Sequence, residues 1–294
     1  MSDALGTLTC INLDDLVGAF GWEDRPGLIR LARVVFRVPA RNFARQILRF
    51  DALIAEQGLV QAARLTEQLY ANSVRVYGRS GVPSGPILFL ANHPGVTDTL
   101  ALLASLGRDD LRVIALDRPF LVSLPNLTRH LAFVTDQPAA RVALVRKVGM
   151  HLRQGGAALT FPAGRNEIDP DFSALAAQSL DGWIDSASAF ARLAPEVAIV
   201  PICVRGVYWR TTAGLALVRR RGSADDRQLL ASALQLLASV ALGLRPVKIR
   251  IQFGKPIQAS ALRSAGRFDV HPQVLAEMRR LVMSSPAGEG EEVL

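Results

Sequence analysis

Between residues 28 and 50 the apolar positions recur with helical spacing. Ile29, Phe36, Phe43 and Phe50 follow one another at intervals of seven, with Ala32 and Ile47 on the same side. Arg30, Arg33, Arg37, Arg41, Arg45 and Arg49 gather on the other side. The pattern predicts a basic amphipathic helix, bent or split near Pro39, where a ring in the helix interior would displace a hydrogen bond. Such a helix either lies in a membrane interface, with its arginines on phosphates, or packs its apolar stripe on the protein core. Periodicity alone leaves both readings open.

Residues 54–72 read as a second helix, 73–78 as a short strand and 81–86 as a loop rich in Gly and Pro. Ile87 to Ala91 is a continuous apolar run of strand length, which suits a strand buried on both faces. The alternation then continues. Helices are expected at 97–106, 139–153 and 184–193, and strands at 112–116, 132–135, 157–161 and 198–204. Val247, Ile249, Ile251 and Phe253 alternate with Lys248, Arg250 and Gln252, the mark of a half-buried strand. Strands separated by helices of this length imply an α/β fold. The chain divides into an N-terminal helical region (1–72), an α/β domain (73–283) and a small, acidic tail (284–294) expected to be disordered.

Half of the 294 residues are hydrophobic, enough for a large core. The formal charge of +8 comes almost wholly from arginine, since Lys147, Lys248 and Lys255 are the only lysines. Arginine forks onto phosphate oxygens, so phosphate-bearing partners fit; so does a plain basic surface. Cys10 and Cys203 are too few and too ill-placed for a disulfide framework. The N-terminus lacks the basic start and apolar core of a signal peptide. The longest uncharged stretch, 229–244, is short for a span and carries Ser232, Gln235 and Ser239, so a buried or interfacial helix is expected. Any meeting with lipid would be on the bilayer surface.

Candidate chemistry follows the buried strand. Asn92-His93-Pro94-Gly95-Val96-Thr97-Asp98 leaves the strand and opens a helix, placing His93 where α/β folds keep their ligand crevices. Four residues let the chain turn and bring the Asp98 carboxylate back to the imidazole. Such a pairing fixes the tautomer and raises basicity, as a general base needs. The plainer alternatives are a strand-end histidine satisfied by backbone and an acidic residue at a helix N-terminus. A second element is Phe161-Pro162-Ala163-Gly164-Arg165-Asn166-Glu167. Gly164 permits close backbone approach to a ligand and Arg165 follows as a forked phosphate donor; a plain turn with a solvated arginine is the alternative.

Taken in order, these segments resemble the glycerolipid acyltransferase family, the glycerol-3-phosphate and lysophosphatidate acyltransferases. Asn92-His93 through Asp98 looks like the family's Asn-His-x4-Asp block and Phe161-Pro162-Ala163-Gly164 like its Phe-Pro-Glu-Gly block. Val200-Pro201-Ile202-Cys203-Val204 is similar to the Val-Pro-rich fourth block, and Phe253-Gly254-Lys255-Pro256-Ile257 to the closing strand. The resemblance covers roughly residues 73–258. It implies a mixed central sheet flanked by helices with an N-terminal amphipathic element at the membrane. It implies His93 and Asp98 as the acid–base pair, with Asn92, Gly95, Arg118, Phe161, Pro162, Gly164 and Arg165 around the substrates. It also implies acyl-CoA or acyl-carrier protein as co-substrate, neither metal nor cofactor, and a cytoplasmic location on the inner face of an anionic membrane. Amides near Gly95 and Gly164 are candidate oxyanion and phosphate donors.

The sequence departs from the family at several points. Ala163 stands where the family has Glu, with Glu167 a possible replacement, and Gly95 stands where Ser is common. The second block is reduced to Asp136-Gln137, with Arg141 or Arg118 as replacements. These changes spare the His–Asp pair and touch acceptor contacts, so an acceptor other than lysophosphatidate is expected. The rival reading is a catalytically silent lipid-binding protein on the same fold. Nucleic-acid binding, invited by a pI of about 10.4, finds no zinc spacing or recognition motif.

Overall fold

A computed structural model describes residues 2–95, 97–135, 137–264, 267–268 and 270–294. Four helices come first: α1 (Ser2–Ala19), α2 (Pro26–Val35), α3 (Arg37–Gln57) and α4 (Leu59–Glu67). The split near Pro39 falls at Phe36 (φ −94°, ψ 2°). Pro39 has no N–H for the Val35 carbonyl and its ring would crowd that oxygen, so α2 ends there and Pro39 sits harmlessly in the first turn of α3. The single helix expected over 54–72 is instead broken at Gly58, whose φ of +83° suits only glycine.

The apolar stripe of 28–50 faces the protein. Ala32, Ile47 and Phe50 are buried, Phe36 stacks on Phe20, and Phe43 stacks on Phe120. The packing alternative therefore holds for this stripe. A different set stays in solvent: Leu31, Val34, Val35 and Val38 are each more than half exposed, Val34 at 77%. They interleave with exposed Arg30, Arg33, Arg37 and Arg41.

Among the described residues the central sheet has nine strands: β1 (Ala71–Tyr77), β2 (Ile87–Ala91), β3 (Arg112–Leu116), β4 (Leu131–Val134), β5 (Ala157–Thr160), β6 (Ala198–Arg205), β7 (Val247–Phe253), β8 (Ile257–Gln258) and β9 (Glu291–Glu292). The order is β9-β1-β7-β6-β2-β5-β3-β4, with β8 extending the β7 side of β6. Neighbours from β6 through β2, β5 and β3 to β4 are parallel, and β7 runs antiparallel to β6 but parallel to β1. The sheet is therefore mixed. Its apolar strands, β2 and β6 (the latter ending in Arg205), occupy the centre and are buried at every position.

Helices cover both faces. On one, α3, α4 and α5 (Asp98–Leu106) pack over Phe89, Ala91, Leu159 and Val200. On the other, α6 (Pro138–Arg153), α7 (Ala187–Leu193) and α9 (His271–Met283) pack over Leu88, Leu90, Ala158 and Ile199. Alternate β2 residues thus feed opposite cores, as the pleat dictates. Leu8, Ala44 and Leu59 share a core with Val74 and Val76, so the N-terminal helices and the sheet bury their apolar surface together. Helix α8 (Ala224–Leu242) contains most of the uncharged run and is half-buried, with Leu230, Ala231, Gln235 and Ser239 inside and Leu242 outside. No helix among the described residues is long and apolar enough to cross a membrane.

The tail expected to be disordered is ordered by the sheet edge. Glu291 and Glu292 pair with Val76 and Arg75 of β1, the Val293 N–H donates to the Val74 carbonyl (2.9 Å), and Val293 and Leu294 reach the core. An edge strand offers unpaired amides, which composition alone does not reveal.

Asp51 ties α3 to the short helical turn at Pro125–Thr128 that precedes β4. It is 5% exposed and accepts from the N–H groups of Asn126 and Leu127 and from the Asn126 side chain, at 2.8–3.0 Å. Asp51→Ala leaves these buried donors unmet and is expected to destabilise the protein by about 2–3 kcal/mol. Denaturant unfolding checks this, and a loss below about 0.5 kcal/mol would contradict it.

Candidate active site

The parallel strands β5, β2 and β6 lie side by side, so their C-terminal ends bring three loops to one rim. Asn92 locks the first loop down. Its side-chain amide donates to the Val204 carbonyl (2.9 Å) and accepts from the Val204 N–H (2.7 Å), extending the β2–β6 pairing past the end of β2. Asn92 is 2% exposed and fastens this loop to β6.

His93 follows, and Asp98 turns back to it from the first turn of α5. The distance from His93 Nδ1 to Asp98 Oδ2 is 2.8 Å. The Gly95 N–H donates to the same oxygen at 3.0 Å, and the Thr99 hydroxyl donates to Oδ1 at 3.0 Å. The Asp98 side chain is fully buried and the His93 side chain is 29% exposed. In the neutral ring Nδ1–H donates to Asp98, which leaves Nε2 as the free acceptor. Burial opposes a charge on His93, but the charge and hydrogen bond of Asp98, with help from Glu167, outweigh burial and the nearby Arg118. The net effect raises its pKa above the ordinary histidine value.

Phe161 flanks the imidazole, with ring centroids 4.6 Å apart. Pro162 is buried, and its carbonyl accepts from the Ile184 N–H. Gly164 takes φ +63° and its N–H closes a turn on the Phe161 carbonyl (3.0 Å). The Gly95 and Gly164 amides, expected as oxyanion or phosphate donors, are therefore already engaged. Arg165 is exposed and has no hydrogen-bond or ion-pair partner among the described residues. Arg118 is exposed and near enough to His93 and Asp15 for its charge to be felt at both. Arg141 donates to the Thr135 carbonyl (2.8 Å). Asp136, the nearest match to the second-block acid, lies outside the described residues.

Several participants were not legible in the sequence. Glu167, considered only as a substitute for the acid missing at Ala163, is 3% exposed. Its carboxylate accepts from the His93 N–H (3.1 Å), the Ser179 hydroxyl (3.0 Å) and Trp183 Nε1 (2.8 Å). Gln228 on α8 donates to the Pro94 and Glu167 carbonyls, joining the two loops. Glu67, at the end of α4, is fully buried with neither carboxyl oxygen hydrogen-bonded. Burial first, then the negative charge of Asp98, pushes its pKa well up. No spacing marks Glu67, and the Trp183 contact joins positions 16 residues apart through a loop. A cavity of about 10 Å³ lies beside Gly95, Thr97 and Tyr208. That is room for about one water molecule and none for an alkyl chain.

No family model matches the chain, and no curated protein matches it. Among solved structures it is similar to the 1-acyl-sn-glycerophosphate (LPA) acyltransferase PlsC from Thermotoga maritima. The two share 15% identity at a TM-score of 0.46, with 92% of this chain and 96% of that one covered.

Proposed function

We propose that the chain is an O-acyltransferase that moves a fatty acyl group from a thioester, acyl-CoA or acyl-carrier protein, to a hydroxyl of a lysophospholipid or related glycerolipid-like acceptor. The single observation that carries this reading is the 2.8 Å contact between a partly exposed imidazole and a fully buried carboxylate, on a loop that resembles the family's Asn-His-x4-Asp block at Asn92, His93 and Asp98. In the reaction the acceptor O–H gives its proton to His93 Nε2 as its oxygen attacks the thioester carbonyl carbon. Asp98 stabilises the imidazolium. The tetrahedral intermediate collapses with cleavage of the C–S bond, and the departing thiolate takes the proton back from His93. Ester and thiol are the products.

The exposed arginines Arg118 and Arg165 are suited to an anionic headgroup or to the phosphates of a CoA donor. With Ala163 in place of an acid, the acceptor is one other than lysophosphatidate. Support for working on an anionic membrane, at its inner, cytoplasmic face, comes from Leu31, Val34, Val35 and Val38 among exposed arginines. Apolar side chains beside fixed positive charge suit an anionic interface. On this reading the chain needs no metal or cofactor.

His93→Ala and Asp98→Asn should each lower thioester consumption by about 10²–10⁴-fold, measured as thiol release from acyl-CoA with a panel of lysophospholipids, alcohols and amines. Near-normal turnover in His93→Ala would refute the assignment, and clear preference for lysophosphatidate would refute the acceptor inference. Only neutral His93 accepts a proton, and its pKa is raised, so kcat/KM should climb through a midpoint above about 6.5, the ordinary histidine value. A midpoint at or below that value contradicts the site electrostatics.

Wild-type protein should co-sediment with phosphatidylglycerol vesicles and release as salt rises, and Val34→Asp should weaken this without lowering thermal stability. Equal binding of the variant, or equal binding to neutral vesicles, would remove α2 as the membrane face.

A further inference from the structure

The loop that carries His93 is held at one end by Asn92 and at the other by Asp98. Between them, the His93 main chain is gripped from a third direction. The His93 N–H donates to Glu167 Oε2 at 3.1 Å, and the Glu167 N–H donates back to the His93 carbonyl at 2.8 Å. The two residues are 74 positions apart, so this reciprocal pair fastens the loop after β2 to the loop after β5. The other carboxyl oxygen is anchored by the Ser179 hydroxyl and by Trp183 Nε1, and Trp183 is itself 4% exposed.

A structural acceptor at this position could be any carbonyl. What only a carboxylate adds is charge, and a buried charge is costly unless several donors meet it. Glu167 is met by three donors, all of them neutral. No Lys or Arg forms an ion pair with it among the described residues. The charged groups facing His93 are Asp98 from α5, Glu167 from the loop after β5, and Arg118 from the loop after β3. Glu67 feels the charge of Asp98 and is not among the groups that act on His93; burial and Asp98 both push its pKa up. Half-buried Ala163, four residues before Glu167, presents only a methyl group.

We propose that Glu167 is a positioning residue for His93: it sets the placement of the histidine main chain through two reciprocal hydrogen bonds, and its carboxylate, held at the histidine N–H, strengthens the imidazole as a base. The inference rests on His93 acting as the general base proposed above. The charge works in the same direction as Asp98 and against Arg118. Burial raises the pKa of Glu167 itself; the Trp183, Ser179 and His93 donors oppose this in part, and the net shift is upward.

The test separates placement from charge. In Glu167→Gln the single oxygen cannot serve both the Trp183–Ser179 pair and the His93 N–H, and the charge is gone. The kcat for acyl transfer should fall about 10- to 100-fold, the range for a displaced catalytic group. The acid limb of kcat/KM should move to lower pH. Glu167→Asp keeps the charge but shortens the reach, so kcat should fall while the limb stays near that of the wild type. The substrate-free readout is the NMR titration of His93, told apart from the other three of the four histidines by its loss in His93→Ala. It should move down in Glu167→Gln and stay in Glu167→Asp.

An unmoved His93 titration in a folded Glu167→Gln protein overturns the proposal. If that variant does not fold, Trp183→Phe removes one donor and weakens the charge. The same downward movement is expected there, and an unmoved titration is equally fatal. Because the titration needs no substrate, a protein without acyl transfer would sink the functional reading while the Glu167 test still stands or falls on the imidazole.

Discussion

A carboxylate with no contact to solvent must be met by donors, and at the head of α5 that requirement shapes everything around it. Asp98 receives His93 Nδ1, the Gly95 N–H and the Thr99 hydroxyl. An ion this deep would cost several kcal/mol if left unpaired, so the loop after β2 has little freedom in how it folds. The Gly95 amide is drawn inward, the imidazole is turned with Nδ1 towards the carboxylate, and Nε2 is left as the free nitrogen. The same constraint explains why the Gly95 amide is unavailable to a reacting oxygen. Asn92 holds the start of the same loop in place, its side chain registered on β6 through Val204.

Much of this was readable in the residues, for a definite reason. Strands β2 and β6 are buried on both faces, so their sequences are apolar runs, while β7 alternates because one face is half covered. The His93–Asp98 pair is local in sequence, so spacing alone could suggest it. What escaped is non-local. Glu167 reaches His93 across 74 residues and Trp183 reaches Glu167 through a loop without periodicity. Glu67 carries no pattern, because a buried acid whose pKa is pushed up looks on paper like a solvated one. The tail was misjudged because order there comes from an edge strand some 200 residues earlier and not from its own composition.

The N-terminal helices show how one periodicity can serve two readings. The seven-residue recurrence of Ile29, Phe36, Phe43 and Phe50 suits a lipid face and a core face alike, and the side holding Ala32, Ile47 and Phe50 belongs to the core. The apolar residues left in water are the ones interleaved with arginine, Leu31, Val34, Val35 and Val38. Amphipathicity identified the helix correctly. Which apolar set was satisfied internally depended on α1 and on Phe20 and Phe120 arriving from elsewhere in the chain.

The pairing of Glu291 and Glu292 with β1 also bears on how this protein behaves when crowded. Seven residues of β1 would otherwise line the outer margin of the sheet and present a row of open donors and acceptors to any passing extended chain. The closing segment occupies the middle of that row and replaces it with an edge two residues long that carries two carboxylates. A neighbouring copy therefore meets a short rim on this margin, where Glu291 is paired with Arg79 and Glu292 is exposed, and residues 291–292 shield part of β1 from edge-to-edge pairing while β4 forms the opposite margin.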